Sequence, residues 1–324
     1  MKKLKILVLT KRFDLHMPKH KHLFDSIVAL EKFAEVVYWH DDGDINKILE
    51  EIKFIPDFIF HYDIEWRYAY APTITGLEKV NIPKGCYVKD IHWNPEKRIK
   101  YFEENKIDLI FSFTKNPFLK KYPQYENKFR WMPFSVNPYI IKDWKLNKDV
   151  DFLLTGQFYY KDPKNPPKRL PKKGIYTFRE AVFNKMKDKK GFVFVPHPGH
   201  RTKGGPNVII NENYAKELNR SKISFTCGSI LEYPVAKYFE ILGCRTLLLA
   251  KPNKDILELG FQDGVNFVAC DENDFYDKTL YYKENEKERE RITNNGFNFV
   301  HTYHSNEVRA QQFIKNIEVF LKNK

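Results

Sequence analysis

Cysteine is scarce in this chain. Cys86, Cys227, Cys244 and Cys270 are the four in 324 residues, and none belongs to a Cys-x-x-Cys pair. Neither a disulfide framework nor a structural zinc site follows from such spacing, and a reducing cytoplasm is the expected compartment. Long hydrophobic runs are missing too: no window reaches the ~18 apolar residues that a membrane helix needs. The basic start Met1-Lys2-Lys3 leads into an apolar run at 6–9 that breaks at Lys11-Arg12-Phe13-Asp14. That run is too short for a signal peptide and suits a first strand. Glycine-rich nucleotide loops are also absent. Thr10-Lys11-Arg12-Phe13 stands where a Gly-x-Gly-x-x-Gly would follow the first strand, and no Gly-x-x-x-x-Gly-Lys-Ser/Thr occurs. This argues against a dinucleotide-dependent oxidoreductase and a P-loop nucleotidase. Without a Gly-x-Ser-x-Gly elbow, a serine hydrolase is disfavoured as well.

Positive charge is what the chain has in excess. Fifty-five Lys/Arg against 42 Asp/Glu give +13, in a composition of 42% hydrophobic and 30% charged residues that fits a folded protein. Such a balance favours anionic partners: nucleic acid, anionic lipid surfaces or phosphorylated small molecules. Much of it is local. Between Lys161 and Lys190 eleven basic residues face Asp162, Glu180 and Asp188, so this stretch alone holds +8. Its proline- and lysine-rich part, 162–174, reads as a long loop.

Short apolar runs alternate with segments of helical period. Residues 5–10, 57–62, 85–90, 108–113 and 130–134 read as strands, several apolar on both faces as in a covered parallel sheet. Helices are expected near 20–34, 45–52 and 95–105, the last with Asn94 as N-cap and Pro95 in the first helical position. The pattern then restarts. Strands are expected at 149–158, 191–196, 221–225, 245–250 and 265–269, with helices at 176–187, 213–219, 234–242, 255–259, 284–295 and 306–321. Alternation of this kind means an α/β architecture. Two such runs suggest two Rossmann-like domains facing each other across a cleft, over 1–145 and 146–304, with a final helix in 305–324 returning to the first.

The most informative stretch runs from Cys227-Gly228-Ser229 through Glu232-Tyr233-Pro234 to Lys237, Glu240 and Gly243. It follows a strand and should open a helix at Pro234, offering free N–H groups to a phosphate. Glu232 would stand just ahead of that helix and Glu240 about two turns further in, since a helix has ~3.6 residues per turn. Two carboxylates so placed can hold a hydroxyl-rich ligand at two points.

On these residues the sequence resembles a known family. Glu232 and Glu240 match the two-glutamate motif of retaining glycosyltransferases with the GT-B fold. Pro234, Lys237, Phe239, Glu240 and Gly243 resemble the signature of the CgeB-type, spore-coat glycosyltransferase-like group, with lysine at 237 where that group has arginine. The likeness extends through Glu258-Leu259-Gly260-Phe261, Asp263-Gly264-Val265-Asn266-Phe267, Asn295-Gly296, His301-Thr302-Tyr303 and Arg309. It covers about 149–315 and is thin over 1–148. The resemblance implies a hexosyltransferase whose donor is a nucleotide diphosphate sugar, a UDP-sugar before others. Glu240 would hold the ribose hydroxyls and Glu232 the transferred sugar, with Lys237 or Arg179 near the diphosphate. Gly156, Ser229 and Tyr233 complete the expected donor site, and His197, at the end of a strand, either walls the nucleobase pocket or makes a turn.

In the amino-terminal half, Lys89-Asp90-Ile91-His92-Trp93 ends a strand, where polar residues of an α/β sheet point at ligands. Asp90 and His92 are therefore candidate catalytic groups, His92 for steadying the sugar or moving a proton, with a structural histidine as the alternative. His16, His20 and His22 read as a solvated helix start without a metal. The aromatics Tyr62, Trp66, Tyr68 and Tyr70 suit either an acceptor platform or the core. Asp149 and Asp151 have Asp-x-Asp spacing but open a strand. No metal and no cofactor besides the donor is expected, because the basic residues can neutralise the leaving diphosphate. Two alternatives remain open: a glucosyltransferase acting on hydroxymethylated DNA bases, and a basic nucleic-acid-binding protein without catalysis.

Overall fold

The computed structural model describes residues 3–161 and 170–324 and falls into two units, Met1–Pro133 with Asn306–Lys324, and Phe134–Ser305. The first unit is built on eight strands: β1 (Lys5–Leu9), β2 (Glu35–Trp39), β3 (Gly43–Asp44), β4 (Phe58–His61), β5 (Ile74–Thr75), β6 (Lys84–Val88), β7 (Leu109–Ser112) and β8 (Phe129–Trp131). Six of them form a parallel sheet in the order β2-β1-β4-β6-β7-β8. Ile6 to Leu9 are wholly buried, so both faces of β1 are covered, as continuous apolar runs in parallel sheets require. β2, Glu-Val-Val-Tyr-Trp, is absent from the sequence reading because it is an edge strand with four half-buried positions and no buried run.

The helix at Ile45–Ile52 is started by Asp44, whose carboxylate accepts from the Asn46 N–H at 3.0 Å. Pro95 does open the helix Pro95–Glu104, but Asn94 does not cap it: its backbone is left-handed and its amide donates to Glu65 at 3.2 Å. The expected aromatic platform is also divided. Tyr62 and Tyr70 are buried against Phe13, whereas Trp66 and Tyr68 are half-buried. His20 is buried edge-on to the Tyr70 ring and is not a solvated helix start.

The second unit carries β9 (Val150–Gly156), β10 (Phe192–Pro196), β11 (Ser221–Thr226), β12 (Leu247–Ala250) and β13 (Val268–Ala269), all parallel in the order β10-β9-β11-β12-β13. Alternate side chains feed opposite layers: Leu153 and Leu248 enter one apolar cluster, Phe152, Leu154, Leu247 and Leu249 the other. This unit begins before the expected boundary at 145, because Phe134, Val136, Ile140, Ile141 and Trp144 pack into its first cluster. The terminal helix Asn306–Lys322 packs in the first unit, where Phe313 lies 4.7 Å from the ring of Phe60 and 4.5 Å from that of Phe111. Both units are Rossmann-like. Among the described residues no helix is long and apolar enough to cross a membrane, and all four cysteines are buried and free.

Candidate functional site

In the second unit β10 lies on one side of β9 and β11 on the other, so the chain direction of winding reverses between β9 and β11. The carboxyl ends at such a reversal diverge and leave room for a ligand. β9 ends at Gly156, with φ at +117°, and β11 runs into Cys227. The glycine is needed twice over: a Cβ there would lie 2.0 Å from Lys237 Nζ, and L side chains rarely adopt that φ. Through this gap Lys237 donates to the Thr155 carbonyl at 2.7 Å. Arg179, the third residue of the helix Thr177–Met186, donates to the carbonyls of Gln157 at 3.1 Å and Cys227 at 3.2 Å, bridging the two strand ends. Its guanidinium stacks 4.6 Å from the Tyr176 ring, and its buried Nε has no partner among the described residues.

Glu240 follows Lys237 by three residues and so shares its helix face. Its charge acts on Tyr214, whose hydroxyl is 3.5 Å from Thr155 Oγ1; burial, aided by Glu240, pushes the Tyr214 phenol well above its ordinary pKa. The structure thus gathers Gly156, Arg179 and Lys237 at the carboxyl end of β9, with Thr155 beside them and Glu240 on the helix face of Lys237. The sequence singled out neither Thr155 nor Tyr214; Thr155 was visible only as the residue before Gly156.

The helix itself starts later than expected, at Lys237 and not at Pro234. Residues 228–233 form a closed loop in which Ser229 N–H donates to Tyr233 O at 3.1 Å, Glu232 N–H to Ser229 O at 2.9 Å and Leu231 N–H to Ser229 Oγ at 3.2 Å. A side chain at Gly228 would strike the Glu232 backbone at 2.9 Å, so the loop closes only over glycine. The chain becomes helical after it, and the N–H groups of Tyr238 and Phe239 turn back to Val235 and Ala236. The helix start expected at Pro234 is therefore displaced by three residues, to Lys237. Ser229 and the buried Tyr233 serve the loop. Glu232 is exposed at its tip with φ of +55°, and its side chain makes no hydrogen bond or ion pair among the described residues.

His197 follows β10 and makes a turn, its Nδ1 accepting from Gly199 N–H at 3.0 Å while its own N–H meets Gly156 O at 3.2 Å. Asp149 and Asp151 lie at the opposite end of β9, paired with Arg220 and Lys222. Of the basic stretch 161–190, residues 162–169 lie outside the described residues.

Asp90 and His92 belong to the first unit, in a second polar cluster at the carboxyl ends of β4 and β6. Asp63, one residue beyond Tyr62, accepts from Arg98 at 2.9 and 3.5 Å and from the N–H groups of Glu65 at 3.1 Å and Lys89 at 3.0 Å. Asp63 and Arg98 are both 1% exposed. The bonds anchor a loop in which Trp66, Arg67 and Tyr68 are all left-handed, and Trp66 Nε1 donates to Asp90 at 3.0 Å. His92 is half-buried with Nδ1 unpartnered; burial lowers its pKa although Asp90 opposes this. The sequence names Lys89 only as the first residue of that polar strand end and gives it no role of its own. The residue is buried with Nζ 3.6 Å from the centroid of the Tyr70 ring, and burial pulls its pKa down to about 8.

Residues 179–315 match a family described as glycosyl transferase-like. No curated protein matches the chain. Among solved structures the chain is similar to a glycosyltransferase from Rickettsia africae, at 12% identity over 100% of both chains, with a TM-score of 0.63. It is also similar to sucrose-phosphate synthase from Thermosynechococcus elongatus, at 10% identity, 99% and 100% coverage and a TM-score of 0.60. A third likeness is to the Anabaena protein HepE in complex with UDP and glucose, at 10% identity, 97% and 99% coverage and a TM-score of 0.56. The fold is that of the GT-B glycosyltransferases, with two Rossmann-like domains.

Proposed function

We propose that the protein is a glycosyltransferase that moves a sugar from a UDP-sugar to an acceptor hydroxyl. One observation carries the reading: Arg179 and Lys237 stand together over a side-chain-free Gly156 at the strand reversal of the second unit, with Glu240 on the same helix face. The unpartnered Arg179 Nε and the Lys237 ammonium suit the diphosphate, and the Glu240 carboxylate suits two adjacent ribose hydroxyls. Fixed cations so placed act on the negative charge that develops on the leaving UDP, where oriented charge lowers a barrier most. In this reading they do the work that a divalent cation does elsewhere, and turnover should survive chelation by EDTA. Glu232, exposed on its loop, is the group we assign to the sugar, with retention of anomeric configuration. The CgeB-type resemblance of Pro234 to Gly243 supports that assignment.

The test separates the two glutamates. A charged hydrogen bond contributes ~1.5–3 kcal/mol, so Glu240→Gln should weaken calorimetric UDP binding by roughly 10- to 100-fold. Glu232→Gln should bind UDP like the parent and lose kcat with a UDP-sugar, the signature of an interaction made in the transition state. Parental UDP affinity in Glu240→Gln together with parental turnover in Glu232→Gln would overturn the assignment. Steeply salt-dependent binding of duplex DNA with no affinity for UDP would favour the nucleic-acid reading of the +13 charge instead.

A further inference from the structure

Among the described residues, the buried Lys84 and the half-buried Lys148 and Lys237 have oxygen partners. Lys84 Nζ donates to Val80 O at 3.0 Å, Lys148 Nζ to Ser221 O at 3.0 Å and Lys237 Nζ to Thr155 O at 2.7 Å. Lys89 differs. Its side chain is almost wholly buried, 7% exposed, yet among the described residues its ammonium has no hydrogen-bond acceptor and no carboxylate at ion-pairing distance. What it has is the face of Tyr70 at 3.6 Å.

The nearest acids are committed elsewhere. Asp63 spends its lone pairs on Arg98 and on the N–H groups of Glu65 and Lys89, while Asp90 takes the Trp66 indole. On another side His22 is pushed down to about 3 by burial and by the charges of Lys19 and Lys89, so it stays neutral and adds no second positive charge. Three ammonium donors therefore lie in a low-dielectric setting with no anion at ion-pairing distance among the described residues, one residue past the end of β6. Through Tyr70, whose carbonyl accepts from Lys11 N–H at 2.9 Å and Thr10 Oγ1 at 3.1 Å, Lys89 is linked to the carboxyl end of β1, where β2 and β4 flank that strand.

We propose that Lys89 is the counter-ion for an oxyanion, carboxylate or phosphate, carried by the ligand of the first unit. The acceptor is then an acidic or phosphorylated sugar, and a neutral one is a poor fit. The acceptor part of this assignment rests on the glycosyl-transfer reading; the anion site does not.

The experiment titrates the full chain, without nucleotide and at constant ionic strength, with glucuronate, glucose 6-phosphate and glucose, and separately with UDP. At least one anionic sugar should bind tenfold or more tighter than glucose, and the two arms tell carboxylate from phosphate. Lys89→Met exchanges an unpartnered buried ammonium for an apolar chain of similar length, so the fold should persist. In that variant the anionic sugar should fall to within twofold of glucose, with UDP affinity unchanged. A pH profile of the parent gives an independent check.

Lys89 is surrounded by Asp63, Asp90, Arg98, His22 and Tyr70, of which Tyr70 is pushed up and His22 down, so Lys89 is the group losing charge between pH 7 and 9. Glucuronate affinity should decline over that interval. Anionic sugars that bind the parent no tighter than glucose, or bind Lys89→Met as tightly as the parent, overturn the proposal. If UDP still binds in that case, the donor reading stands without it; if UDP fails while the anionic sugar binds, only the donor reading falls.

Discussion

Placing alanine at Gly156 offers a direct check on the donor-site geometry. The new Cβ would lie 2.0 Å from Lys237 Nζ, so the ammonium must leave the Thr155 carbonyl it now meets at 2.7 Å. Two costs follow. Holding alanine at φ of +117° strains the backbone by ~1–3 kcal/mol, and losing the charge-assisted bond removes ~1.5–3 kcal/mol more. Lys237→Ala alone loses the bond and not the strain. In the double variant the bond can be lost only once, so the two changes should couple by about the value of that bond, ~1.5–3 kcal/mol. Urea denaturation of the four proteins measures this cycle, and UDP calorimetry on the same samples should show Gly156→Ala approaching Lys237→Ala. Additive effects, within ~0.5 kcal/mol, would mean that the lysine does not cross the glycine, and the proposed phosphate site would lose its frame.

Other consequences are as open to measurement. Arg98→Met strands the buried Asp63 and should cost ~3–5 kcal/mol in urea denaturation, whereas Arg98→Met with Asp63→Asn should recover much of it. His61 is buried between the Tyr101 hydroxyl at 2.6 Å and Pro72 O at 2.9 Å, and burial lowers its pKa to about 4. The unfolded chain binds its proton near pH 6.5 and the folded one does not, so stability should fall by ~2 kcal/mol from pH 7 to pH 5. His61→Gln should be less pH-dependent by that amount; an equal slope in parent and variant would refute the assignment. Gly296→Ala drives a Cβ to 2.5 Å from Asn266 O and 2.7 Å from Leu242 Cδ2, which should cost ~1–3 kcal/mol. Because Leu242 shares the helix of Glu240, UDP affinity should fall with it, and an unchanged melting temperature would contradict the packing.

Much of the fold is legible in the sequence because parallel strands buried on both faces announce themselves as apolar runs, as at 6–9 and 152–154. The signal fades at edges. β2 has no buried position, and β13 occupies only Val268–Ala269 of the expected 265–269. The helix Phe275–Glu284 is also invisible, since Leu280 and Tyr281 are exposed and break its apolar stripe. In the proposed donor site, Gly156, Arg179, Lys237 and Glu240 could be named from spacing and resemblance. The later helix start could not, because it depends on Glu232 packing over Gly228. Lys89 was hidden for another reason. Its isolation is defined by what Asp63 does with Arg98, 35 residues away, and only the adjacency of β4 and β6 brings those residues together.

The terminal helix has a consequence for the order in which the chain acquires structure during synthesis. Residues 134–305 are contiguous and can close their sheet as soon as they leave the ribosome. The first unit, although made earlier, must wait: until Asn306–Lys322 emerges, nothing in it covers Phe60 and Phe111 where Phe313 belongs. The later-made unit is thus free to mature first, while the earlier one carries an uncovered aromatic face through most of translation. A stop placed just before Asn306 would spare the unit nearest to it and cripple the one made earlier.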